Sequence, residues 1–149
     1  MANFEHFFVL LMVLIALADR FILRRKSVQL QSIGMGVMKG EAVAFPVSLS
    51  IRRCWVSDAQ VEYWLKDLKN PSVVIAGKTR TVDTAISGIR EEYLLINSRY
   101  LEPARWDLRV RITNGNCRLN PFYRIFPMHE VMEKQYTITE VEGGRWNVE

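Results

Sequence analysis

After residue 27 the hydrophobic and polar positions alternate with a period of two, the pattern of a half-buried strand. The alternation is clearest where Trp106, Leu108, Val110 and Ile112 face one way and Asp107, Arg109, Arg111 and Thr113 the other. Val43, Phe45, Val47, Leu49 and Ile51 form a second such row. Pro46 lies on its opposite face and marks an edge or a bulge, because proline has no N–H to give to a ladder. Val61, Tyr63 and Leu65 make a third row, and shorter strands are predicted over 28–33, 73–76, 79–83, 92–97, 122–126 and 136–141. Gly34-Met35-Gly36 and Gly77-Lys78 supply breaks between them. Short strands at this spacing, without an amphipathic helix between them, predict a mainly β domain over 27–149, built as an antiparallel β-sandwich or a small barrel. Residues 56–69 carry a second reading: Ser57 or Asp58 as the cap of a helix with Val61, Trp64, Leu65 and Leu68 on one face.

Leu101, Pro103 and Trp106 form a Leu-x-Pro-x-x-Trp corner at the end of the loop 98–105. A large aromatic opening a returning strand plugs the end of a sandwich. The corner resembles one found in immunoglobulin-like accessory domains, and the resemblance implies an immunoglobulin-like sandwich.

The first 26 residues follow a different rule. Residues 7–18 (FFVLLMVLIALA) are apolar without a break, Asp19-Arg20 interrupt the run, and Phe21-Ile22-Leu23 extend it before Arg24-Arg25-Lys26. A helix over 7–23 would be roughly 25 Å long, the lower limit for crossing a bilayer, which makes this segment a single-pass anchor in contact with membrane lipid. Two other readings stand beside it: a signal peptide cleaved after Ala18, which would make the body a secreted or periplasmic protein, and a buried core helix. The basic residues all follow the apolar run, so a retained anchor places the body in the cytoplasm, whereas cleavage places it outside.

Charge and length then narrow the partners. The 149 residues are enough for one β domain behind the helix, and the formal charge is +4. Beyond residue 26 the body carries 16 basic and 14 acidic side chains, so much of the excess is juxtamembrane. That distribution suits phospholipid head groups, and no nucleic-acid partner is expected.

Candidate chemistry is sparse. His6 and His129 are the only histidines, and the chain has no Gly-x-Ser-x-Gly, phosphate loop or His-Glu-x-x-His, so no enzymatic activity and no cofactor is expected. Met128 and His129, with Met132, Met35 and Met38 elsewhere, are the candidate soft metal ligands, of the kind a copper chaperone uses. Cys54 and Cys117, 63 residues apart, are placed for a disulfide between two sheets in an oxidising compartment. The densest feature is the stretch 99–124, where Arg99, Arg105, Arg109, Arg111, Arg118 and Arg124 interleave with Tyr100, Trp106, Phe122 and Tyr123. Arginine and aromatics together make a partner-binding face for an acidic partner, a phosphorylated ligand or lipid head groups; the alternative is a strand whose arginines pair with neighbouring glutamates. The expectation is a membrane-anchored accessory or assembly subunit that touches a larger membrane protein. A β module binding a small molecule or lipid, and an exported binding protein, are the alternatives.

Overall fold

A computed structural model describes the backbone of residues 2–149 and the side chains from Phe4 onward. The apolar N-terminus forms helix α1 (Ala2–Ala18), which continues as a π-helical turn over Asp19–Leu23. Arg24 ends it in the left-handed conformation, φ 46°, with its N–H returning to Asp19 O at 3.1 Å. The span Phe4–Leu23 is 20 residues and about 30 Å, long and apolar enough to cross a bilayer. Phe4 is 75% exposed, Phe7 63%, Leu10 58% and Leu14 54%, which removes the reading of a buried core helix. From Phe7 to Ile15 the helix is apolar on every face and exposed, and only its C-terminal end meets the body.

The body begins with β1 (Val28–Ile33), β2 (Val37–Lys39) and β3 (Ala42–Ile51), followed by β4 (Val56–Asp67), β5 (Val74–Ala76) and β6 (Arg80–Val82). It continues with β7 (Gly88–Asn97), β8 (Ala104–Cys117), one helical turn α2 (Phe122–Ile125), β9 (Met128–Val141) and β10 (Arg145–Val148). All pairings are antiparallel. In one sheet β3 is flanked by β7 on one side and by β1 and β2, end to end, on the other. The other runs β10-β9-β8-β4, with β5 and β6 sharing the outer edge of β4. The two inner faces close one core in which Phe45, Leu49 and Leu94 meet Leu65, Leu108 and Ile138, making a sandwich with a side-chain-filled interior.

Several expectations change in detail. Residues 56–69 are not helical: Val56, Ala59, Val61, Tyr63 and Leu65 are buried along strand β4, which pairs antiparallel with β8 in the same sheet. Residues 122–126 are not a strand, because Asn120 Oδ1 accepts the Phe122 N–H at 3.1 Å and Pro121 opens a turn of helix. The predicted strands at 73–76 and 79–83 shorten to β5 and β6, and both pair with β4. Pro46 sits on a central strand rather than an edge. Its carbonyl, accepting from Gly34 N at 2.7 Å, faces the gap between β1 and β2, so its missing N–H falls where the ladder is already broken. Leu101 and Trp106 are buried as the corner requires, with Trp106 Nε1 donating to Glu102 O at 3.0 Å.

Tyr63 reaches from the second sheet to the free edge of β7. Its hydroxyl donates to Leu95 O at 2.9 Å and accepts from Leu95 N at 3.2 Å, while Arg80 donates to Tyr93 O at 3.2 Å. Both contacts occupy backbone groups that an open edge would offer to another chain. The Tyr63 ring lies over Gly77, where an added Cβ would meet Cε2 at 2.0 Å. Gly77→Ala must therefore displace the ring. The variant is expected to lose about 1–3 kcal/mol in thermal or denaturant unfolding and to aggregate more readily through β7.

Candidate functional site

The π-turn of the N-terminal helix and the segment 117–127 interlock. Asp19 and Arg20, which break the apolar run, are the residues that make the joint. Arg20 is 8% exposed, and its Nε donates to Phe126 O at 2.5 Å and its Nη2 to Pro127 O at 3.3 Å. The guanidinium also stands over the rings of Phe21 and Tyr123, at 5.1 and 5.6 Å. Among the described residues it is in no ion pair; carbonyl dipoles and ring faces hold its charge.

Asp19 accepts from Arg25 Nε at 2.8 Å and from Asn120 Nδ2 at 3.1 Å. The same amide nitrogen donates to Ala16 O at 2.8 Å, supplying a partner to a carbonyl near the helix end. Tyr123, fully buried, donates to Asp19 O at 3.2 Å and accepts from Arg25 N at 3.2 Å. Burial pushes its hydroxyl above the ordinary tyrosine range, so it stays protonated and remains a donor. Below the joint, Asn114 is completely buried and ties β1 to β8. Its Oδ1 accepts from Ser27 N at 3.1 Å, Ser27 Oγ at 2.9 Å and Val28 N at 3.1 Å, while Nδ2 donates to Val28 O at 3.0 Å. Helix and sandwich thus meet through fixed polar contacts rather than a flexible linker.

Beside the joint runs an apolar groove of about 450 Å3, with Met12 and Ile15 of the helix on one wall and Trp55 and Leu119 on the other. Asn120, Cys117 and Arg25 line it as well. Cys54 and Cys117 are free thiols in this structure. They lie in one small cluster with Val56, Tyr123 and Met128, and burial pushes the Cys54 thiol up.

The arginines expected to form one face are distributed over the whole length of the sandwich, because β8 has 14 residues and spans roughly 46 Å. Arg99 and Arg105 sit at the end away from the helix, where Arg99 pairs with Glu41 at 3.2 Å and Arg105 reaches Gln135 at 3.5 Å. Arg109 and Arg111 lie on the outer face of the second sheet and are paired: Arg109 with Asp107 at 3.0 Å and Glu133 at 3.1 Å, Arg111 with Glu62. Arg118 and Arg124 are exposed at the helix end, next to half-buried Phe122 and buried Tyr123. Only this last group belongs to the joint. Met128 and His129 do not converge: Met128 enters the small cluster and His129 points outward to Thr113 Oγ1 at 3.0 Å, as neighbours on a strand must. Among the described residues no cluster of His, Cys, Asp and Glu is arranged to hold a metal ion.

A family profile described as "LydB: LydA-holin antagonist" matches residues 7–143. The chain belongs to the LydB family. The match runs from within the apolar helix to just past β9 and so covers both the helix and most of the sandwich. No curated protein matches the chain. Among solved structures, one titled "Crystal structure of protein from Archaeoglobus fulgidus" is similar at 16% identity with a TM-score of 0.40, covering 76% of this chain and 100% of that one. So distant a likeness carries no further argument about LydB. Sequence reasoning missed Asn114 and Asn120. Asn120-Pro121 was the one available signal, as a turn-forming dipeptide.

Proposed function

We propose that this protein is a non-enzymatic, membrane-anchored accessory subunit that restrains a holin-type membrane protein by direct contact. The observation that carries the reading is the exposed apolar helix Phe4–Leu23, joined by hydrogen bonds to a sandwich that the same family profile covers. A helix continuous through Ala18-Asp19, with Ala16 and Asp19 both bonded to the body, favours an anchor that is kept over a leader that is removed. The basic residues after the helix then set the body on the cytoplasmic side. The filled core, with its arginines outside, supports a contact scaffold over a barrel that encloses a ligand. The immunoglobulin-like kinship rests on the Leu101-Pro103-Trp106 corner alone.

Inducing a LydA-type holin with and without this chain tests the reading. Co-expression is expected to delay lysis, and the two proteins are expected to co-purify from detergent extracts. Unchanged lysis timing, with the chain present in the membrane fraction, would reject it.

A further inference from the structure

The anchor and the adjoining end of the sandwich cannot lie at different depths. Asn120 is bonded to Ala16 at 2.8 Å and Arg20 to Phe126 at 2.5 Å. Ala16 lies about 10 Å along the axis from Leu23, the last residue of the apolar span. Any bilayer position that covers this helix brings the loops at Asn120 and Phe126 into the head-group layer with it. The polar side chains of the joint tolerate that layer, because among the described residues no buried side-chain nitrogen or oxygen lacks a hydrogen-bond partner.

The loops at this end are apolar and exposed where a water-facing surface would not be. Leu119 is 69% exposed, Ile125 62%, Trp55 59% and Phe126 47%. Tryptophan in particular favours the membrane interface. Around them stand Arg24, Arg52, Arg53, Arg118 and Arg124, all exposed. Arg52 N bonds to Ser27 O at 2.7 Å, which fixes that pair of arginines beside Arg25 and Lys26. Among the described residues none of these five is in an ion pair, whereas Arg99, Arg109 and Arg111 all are. The nearby acids are largely committed: Asp19 to Arg25, Glu130 to Lys26, and Asp58 lines a hollow with Arg124. Unpaired cations around exposed apolar side chains match the two halves of one molecule, an acidic head on a hydrocarbon tail.

We infer that this end of the sandwich is a foot that binds anionic phospholipid, its arginines on the phosphates and the groove between Met12, Ile15, Trp55 and Leu119 on an acyl chain. The inference rests on the anchor reading of the helix and adds to it a lipid class and a defined seat. Anionic lipid would hold the sandwich in one orientation on the membrane and present the same outer sheet faces to any neighbour in the bilayer.

The test uses the full chain reconstituted into phosphatidylcholine vesicles containing phosphatidylglycerol, with either lipid brominated on its acyl chains. Quenching of tryptophan fluorescence reads the foot, and Trp55→Phe subtracts Trp64, Trp106 and Trp146. Brominated phosphatidylglycerol is expected to quench Trp55 about twofold more than brominated phosphatidylcholine at equal content. Replacing Arg52, Arg53, Arg118 and Arg124 together by glutamine is expected to abolish the difference while leaving the chain resistant to carbonate extraction. Equal quenching by both lipids overturns the anionic site. Absent quenching overturns the foot altogether, and if a LydA-type holin then shifts Trp55 emission, the groove belongs to a partner helix instead. Release by carbonate overturns the anchor reading first, and the foot with it.

Discussion

Replacing Asn114 with alanine is expected to cost about 3–5 kcal/mol of unfolding free energy, enough to lower the melting temperature by roughly 10–20 °C. The side chain is completely buried and makes four hydrogen bonds, three accepted and one donated. Alanine strands the N–H of Ser27, the N–H and carbonyl of Val28, and the Ser27 hydroxyl in a site that excludes water. Each such group left without a partner costs on the order of 1–3 kcal/mol, and partial relaxation keeps the total below the sum. Two companions separate bonding from packing. Ser27→Ala removes one donor and is expected to cost only about 1 kcal/mol. Asn114→Asp keeps the acceptor but loses the donor to Val28 O and buries a carboxylate, so it is expected to be nearly as damaging as alanine at neutral pH. Denaturant unfolding followed by near-ultraviolet circular dichroism checks the series; an Asn114→Ala protein as stable as the parent would mean that Asn114 does not tie the sheets.

The second large effect is expected at Arg20, on coupling rather than on the stability of the sandwich. Arg20→Met keeps the length and apolar stem but removes both donors to Phe126 O and Pro127 O. Hydrogen bonds from a charged donor are worth roughly 1.5–3 kcal/mol, so the joint is expected to open about 10- to 100-fold more often. No residue of the joint belongs to the main core, and the melting of the sandwich is therefore expected to shift little. Limited proteolysis is expected to cut between residues 18 and 27 much faster, and the antagonist activity proposed here should fall with it. Arg20→Lys, which has a single donor head in place of a planar fork, should lie between the two. Parental protease resistance in Arg20→Met would show that Asn120, Tyr123 and Asp19 hold the joint without it.

These two residues also mark the boundary of what could be read in the chain. Alternation at Val43–Ile51 and Trp106–Ile112 announced strands because the period of two is a property of consecutive side chains, and both rows do face the core. The unbroken apolar run announced a helix, while its exposure, which removes the buried-core reading, came from the structure; the Leu101-Pro103-Trp106 corner announced its plug. Residues 122–126, apolar and aromatic, had strand composition, yet the Asn120 side chain and Pro121 turned them into a helical turn.

What the sequence by itself determined is therefore a lipid-compatible helix, a mainly antiparallel β body, and the alternation that gives that body an inside and an outside. Only the tertiary structure decided which arginines act together, because 14 extended residues of β8 carry Arg105 and Cys117 to opposite ends of the sandwich. It alone also decided that Arg20 and Asn114 are structural, since their partners lie 106 and 87 residues away along the chain and leave no local trace. Periodicity reports on neighbours in sequence. A buried polar joint is made by neighbours in space, and only the folded chain brings them together.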